Sequence, residues 1–287
     1  MTTTHALGDV YTVDTHLMGV SRALSVYVID APRPAIVDTG GADTPKRLYE
    51  ALNQLGVGRE EVEHVLVTHV HLDHAGGAGV LANACPNATF HVHEKGVPYL
   101  TDGEKLDRLK RSVDRAMGVE DAYGVPELLD EPRCRTVSGG ETVDIGDREL
   151  ELIDAPGHAP HHFAAFDPET EAMFSIDAAG MYLDGQMRPT TPPPAFDLSA
   201  NLDTVDRLRA YAPKKNLYGH FGPGGADAIR ELDRYERLLT EWVEVVERLS
   251  ERHGDDVDAI VGELGPEWQS PTVHRDVAGV LHALEIT

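Results

Sequence analysis

Thr68-His69-Val70-His71-Leu72-Asp73-His74-Ala75-Gly76-Gly77 is the stretch from which the rest of the chain is read. It sets three imidazoles and one carboxylate within six residues, directly after Val65-Leu66-Val67, an apolar run that reads as a buried strand. Extended backbone sends His69 and His71 to the same face, and where the strand ends the chain can turn Asp73 and His74 towards a neighbouring point. Packing or capping asks for neither this density of histidine nor two histidines two apart beside an Asp-His pair. Nitrogen and oxygen ligands of this kind suit transition metals, and two coordination centres can grow from one loop.

The HxHxDH pattern after an apolar strand resembles the metallo-β-lactamase superfamily, and further landmarks follow in that family's order. They are Asp38-Thr39-Gly40-Gly41, Ala155-Pro156-Gly157-His158, Ser175-Ile176-Asp177-Ala178 and Tyr218-Gly219-His220. The resemblance runs from about Gly8 to Pro223 and rests on the ordered set, because a lone Gly-His is a weak signal. It implies an α/β fold, a four-layer αβ/βα sandwich, with one metal on His69, His71 and His158 and another on Asp73, His74 and His220. Asp177 would bridge them, and Asp38 would accept a hydrogen bond that orients a ligand histidine; from the residues alone, Asp38 before two glycines is equally a turn. Two Zn²⁺ are expected, with Fe or Mn also compatible with a carboxylate-containing set.

The implied chemistry is hydrolysis by a hydroxide generated at the metals, with Asp73 and Asp177 as the catalytic carboxylates. A complete seven-ligand set resembles that of glyoxalase II-like thioesterases and lactonases, which places a carbonyl-centred small molecule first. A phosphodiesterase or nuclease uses the same core. A mononuclear iron sulfur dioxygenase of the superfamily would use the positions of His69, His158 and Asp177, and a non-catalytic binding scaffold is a further alternative.

The 287 residues carry 49 acidic and 25 basic side chains, a net charge of -24, and lysine stands only at 46, 95, 105, 110, 214 and 215. Such a surface repels nucleic acid and anionic membranes, and it resembles proteins that work in concentrated salt. Cys85 and Cys134 form no CxxC, so neither a disulfide framework nor a thiolate zinc site is expected. With no leader pattern and no apolar run of membrane length, the expectation is a soluble, cytoplasmic protein.

Around the deciding loop the periodicities predict strands at 10–13, 25–30, 35–37, 63–68 and 89–93, and a helix from Thr44-Pro45 to Leu55, capped by Thr44 and ended by Gly56. A short helix is expected over 75–84. His91 and His93 sit two apart but lack a following Asp-His pair, so they are read as packing residues. Residues 101–130 carry a helical stripe, Leu106, Leu109, Val113 and Met117, which reads as a solvated helix on the core. In the family an insertion at this point lies near the mouth of the active site.

Alternation around Gly146-Asp147 predicts a hairpin and a second sheet. In the loop up to His162, His161 stands where the family usually has Gly, either as a substrate contact or as a surface side chain. Gln186 to Phe196 is expected to be irregular, and 198–211 helical. The motifs divide the chain into a catalytic domain, 1–224, and a C-terminal helical extension, 225–287. The extension has a stripe from Leu232 to Leu249 and no ligand motif, so it packs on the core or forms a homodimer surface.

Overall fold

The computed structural model describes residues 3–183 and 185–286. Seven strands form the first sheet in chain order: β1 (Thr3–Leu7), β2 (Val10–Asp14), β3 (Ser25–Ile29), β4 (Ala35–Val37), β5 (His64–Val67), β6 (Thr89–His93) and β7 (Cys134–Val137). Pairing is antiparallel from β1 to β4 and parallel from β4 to β7. The parallel strands are joined by α1 (Pro45–Leu55), then α2 (Leu72–Ala75) and α3 (Ala78–Ala84), then α4 (Val97–Thr101) and α5 (Gly103–Met117). Val26 and Val28 of β3 pack with Leu48, Leu52 and Leu81 on the helical side, while Tyr27 and Ile29 point the opposite way, as the two-residue period of a strand requires.

Pro45 opens α1, where its missing N–H costs nothing, and Gly56 at φ 76 ends it. Thr44 does not cap it. Its backbone is already helical, not extended as a side-chain cap needs, and its hydroxyl donates to the Gly41 carbonyl at 2.7 Å.

The second half of the chain supplies β8 (Thr142–Asp144), β9 (Glu149–Asp154), β10 (Phe163–Asp167), β11 (Ala172–Phe174), β12 (Met181–Leu183), β13 (Gln186–Arg188), β14 (Lys215–Tyr218) and β15 (Gly222–Pro223). The second sheet has the order β15-β14-β11-β10-β9-β8. Its β8-β9 hairpin sets Val143 opposite Leu150, as the alternation predicted. The 186–196 segment departs from the expected irregular loop: its first three residues form β13, paired with β12, and pairing stops where Pro189 removes a ladder donor.

Leu150, Phe163, Ala165, Phe174 and Leu217 pack against Tyr27, Val37 and Leu66 between the sheets. The opposite face, with Ala164, Met173 and Tyr218, is covered by α6 (Leu198–Ala210), α7 (Ala228–His253), α8 (Val257–Glu263) and α9 (Val273–Ile286). The molecule is therefore layered helix, sheet, sheet, helix. The stripe Leu232, Tyr235, Leu239, Trp242, Val246 and Leu249 is the buried face of α7. No helix among the described residues is long and apolar enough to cross a membrane.

Candidate metal centre

Parallel neighbours deliver the site. The C-terminal ends of β4 and β5 bring Asp38 beside the 68–74 loop, and those of β11 and β14 bring Asp177 beside His220. β5 stops at Val67, and four residues outside any strand, the last of them His71 in an extended conformation, lead to the single turn of α2 that carries Asp73 and His74. His158 comes from the β9-β10 loop. The fold thus gathers all seven residues singled out in the sequence. Ligand atoms of His69, His71 and His158 lie within 4.8 Å of one another, as do those of Asp73, His74 and His220. Asp177 Oδ2 touches both groups, at 3.6 Å from His74 Nε2 and from His158 Nε2 and 3.8 Å from His220 Nε2.

Hydrogen bonds fix the ring tautomers. Asp38 is fully buried; its Oδ1 accepts from the Thr68 N–H at 2.9 Å and the Thr68 hydroxyl at 2.8 Å, and its Oδ2 accepts from His74 Nδ1 at 2.8 Å. With its proton given to Asp38, the Thr68 hydroxyl accepts from His69 Nδ1 at 3.2 Å. His158 Nδ1 donates to the Thr190 carbonyl at 3.1 Å and His220 Nδ1 to the Ala23 carbonyl at 2.5 Å. With the first proton held at Nδ1, each of these rings turns Nε2 towards its neighbours, where it offers a lone pair whenever the ring is neutral.

Those lone pairs point at one another. His74 Nε2 and His220 Nε2 are 3.2 Å apart, and His69 Nε2 and Asp177 Oδ1 are buried without a hydrogen-bond partner among the described residues. Ligands on one tetrahedral ion with bonds of about 2.05 Å lie roughly 3.3 Å apart, so the spacing and the donor set both fit a metal. Asp38, His69 and His74 also fall within 4.8 Å, but both oxygens of Asp38 are already committed to Thr68 and His74, which makes it an orienting group.

The local field asks for positive charge. Burial opposes charge on His74, yet Asp177, Asp73 and Asp38 outweigh it and push the ring up to about 10; His220 is raised by Asp177 and Asp73 against the same burial. Burial and the neighbouring rings hold His69 and His71 well below their ordinary value, and burial lowers His158 to about 4, so these three are neutral, the form that binds metal.

Close approach and strain mark the same place. A Cβ on Gly219 would lie 2.6 Å from the His74 ring and 2.7 Å from Asp177 Oδ1. Asp38 at φ 62 and Ile176 at φ 48 are left-handed, a conformation costing about 1–3 kcal/mol each and unusual for a β-branched residue.

A cavity of about 680 Å³ opens over His71, Asp73 and His158, walled by Leu109, Val113 and Met117 of α5, so the 101–130 segment does lie at the mouth. His161 lines it, with Nδ1 accepting from the Val70 N–H at 3.4 Å. His162 is buried and stacked on His69 at 4.8 Å between centroids. His91 pairs with His64 at 3.1 Å and His93 with Asp154 at 3.3 Å, away from the ligand groups, in keeping with packing roles.

Two contributors were not visible in the sequence. Thr190 accepts from His158 and donates its hydroxyl to the Asp177 carbonyl at 2.8 Å. Arg275 reaches the cavity from α9, within the stretch read as free of ligand motifs. An Arg-Asp pair in a helix has no pattern that separates a pocket residue from a solvated one.

The profile of the metallo-beta-lactamase superfamily matches residues 19–220. A metallo-beta-lactamase fold-containing protein of Sulfurisphaera tokodaii is 30% identical over 209 residues, 71% of this chain and 74% of its own length. A hydroxyacylglutathione hydrolase of Erythrobacter litoralis is 27% identical over 181 residues, 63% of this chain and 57% of its own. Among solved structures, an archaeal metallo-beta-lactamase superfamily protein from Sulfolobus tokodaii superposes with a TM-score of 0.71 at 22% identity, covering 97% of this chain and 98% of its own, a likeness of fold.

Proposed function

The chain belongs to the metallo-β-lactamase superfamily and is a metal-dependent hydrolase of that family; from this premise we propose that it holds two metal ions, Zn²⁺ first, and cleaves a carbonyl-centred small molecule, a thioester, ester or lactone. The observation that carries the reading is Asp177 Oδ2, 3.6 Å from a ring nitrogen of each histidine group, with His74 and His220 facing each other through Nε2 at 3.2 Å and His158 Nε2 facing His71 Nδ1 at 3.0 Å. His69, His71 and His158 would hold one ion and Asp73, His74 and His220 the other, with Asp177 within reach of both groups. Metals bound there supply a hydrolytic nucleophile near neutral pH and Lewis acidity towards the carbonyl.

The chain's own residues do the positioning. Asp38 aligns His74 directly and His69 through Thr68, so one carboxylate serves both groups. Asp73, on the cavity lining, accepts a hydrogen bond from the attacking water and aims it at the substrate. The apolar α5 wall receives the acyl portion and limits water. Residues 1–224 form the catalytic domain in this reading, and 225–287 complete the outer helical layer. The similar hydroxyacylglutathione hydrolase acts, by its name, on an acyl-glutathione, which supports the carbonyl ranking. The charge of -24 disfavours a polyanion, and a mononuclear iron centre on His69, His158 and Asp177 would leave the Asp73, His74 and His220 group without a purpose.

The test is turnover by protein reconstituted separately with Zn²⁺, Mn²⁺ and Fe²⁺ on matched thioesters, esters, lactones and an aryl phosphodiester. Hydrolysis of a carbonyl substrate faster than the phosphodiester is expected; the reverse order overturns the ranking.

A further inference from the structure

We propose that Arg275 is a recognition residue for a carboxylate on the substrate, so that the preferred substrates are acyl compounds with an apolar segment ending in a negative charge. The proposal rests on the hydrolase reading above. Arg275 lines the cavity that holds His71, Asp73 and His158, and its Nε is buried with no hydrogen-bond partner among the described residues. The acid beside it in sequence is already engaged: Asp276 Oδ1 accepts from the Thr191 N–H at 3.1 Å and Oδ2 from the Thr272 hydroxyl at 2.6 Å. The other groups that act on Arg275 are Asp73 and Asp177, whose charge belongs to the metal ligand set, and the neutral phenol of Tyr123, which shares a side-chain hydrogen bond with it. Once cations neutralise those two carboxylates, the counter-charge left to Arg275 is Asp276, whose oxygens already accept from Thr191 and Thr272, and Arg275 Nε still lacks an acceptor among the described residues. An unsatisfied donor of a charged group in a desolvated site is costly, whereas a carboxylate arriving with the substrate meets the planar fork of an arginine in two parallel hydrogen bonds.

The surroundings point to the same ligand. In a molecule of net charge -24, the cavity lining carries Arg275, Lys105 and Arg108 against the single acid Asp73. Lys105 and Arg108 are exposed, which places them to steer an anion inward, and Leu109, Val113, Met117 and Pro192 give the apolar segment its wall. One buried guanidinium suits a monoanion; a polyphosphate would leave most of its charge facing apolar side chains.

The experiment uses metal-loaded, full-length protein and two sets of thioesters of equal chain length, monothioesters of a dicarboxylic acid and their neutral acyl counterparts. Wild type is expected to favour the anionic set by about tenfold or more in kcat/KM, through KM. Arg275→Met should bring that ratio to about one, Arg275→Lys should retain part of it, and His274→Gln, exposed on the same helix, should keep it. Glutarate should raise the melting temperature of wild type and not of Arg275→Met, a readout independent of turnover and able to stand if no thioester is cleaved. Equal rates on both sets in wild type, or a ratio unchanged in Arg275→Met, would overturn the assignment.

Discussion

Asp177 and Asp38 divide the work at the scale of single residues. Asp177 sits between the two histidine groups, with Oδ1 buried and without a hydrogen-bond partner among the described residues, a desolvation that cations beside it would offset. Asp177→Ala should lower metal retention by at least one ion per chain and cut turnover by several orders of magnitude, with the circular dichroism of the folded protein kept. Two ions retained with near-normal turnover would remove the bridging role. Asp38 never reaches a metal in this account; it holds ring tautomers. Asp38→Asn keeps the shape but can present an amide N–H where His74 Nδ1 needs an acceptor, so metal affinity should fall about 10–100-fold, the range for partners that orient ligand histidines. A dye-competition titration measures it, and unchanged affinity would show that backbone packing alone orients the ring.

At the scale of elements, the catalytic loops lean on the C-terminal helices. Trp242 of α7 donates its indole N–H to the Thr191 hydroxyl at 3.1 Å, that hydroxyl donates to the Asp276 carbonyl at 2.9 Å, and the adjacent Thr190 orients His158. α9 can approach this strap because position 279 has no side chain; a Cβ there would overlap the Thr191 carbonyl. Gly279→Val should therefore destabilise by about 1–3 kcal/mol, the usual cost of overpacking, and should also weaken metal binding although it touches no ligand. A drop in melting temperature with metal affinity intact would mean that the strap does not transmit the disturbance. This is also where the sequence was hardest to read. The ligands of the 69–74 loop are legible because a buried strand announces itself by an apolar run and the histidines follow directly, whereas His158 and His220, single histidines after glycine, stand out only through the order of the family's motifs. Thr190, Arg275 and Asp276 act through tertiary contacts between segments far apart in the chain, 32 residues for Thr190 with His158 and 85 for Asp276 with Thr191, and nothing local in a helix or a proline-rich segment records such a contact. Thr44 was misread as a cap for the opposite reason: its residue type fits, and its backbone does not.

Across the whole molecule, the four layers follow from alternation in β3 and in the second sheet, which sends successive residues to different cores and requires a helical layer outside each. The charge is the other global property. With 49 acids against 25 bases, self-repulsion should weaken the folded state at low ionic strength, where the screening length grows to ~30 Å at 0.01 M. The melting temperature is expected to rise from low salt to molar KCl, and a flat profile would contradict the salt-adapted reading. The number of metal ions that each folded chain retains separates a dinuclear hydrolase from its alternatives most directly. Elemental analysis of protein purified without chelator and dialysed against metal-free buffer should give two transition-metal ions per chain, with zinc predominant. A single iron per chain, or none after reconstitution with zinc, would contradict the dinuclear hydrolase proposed for this site.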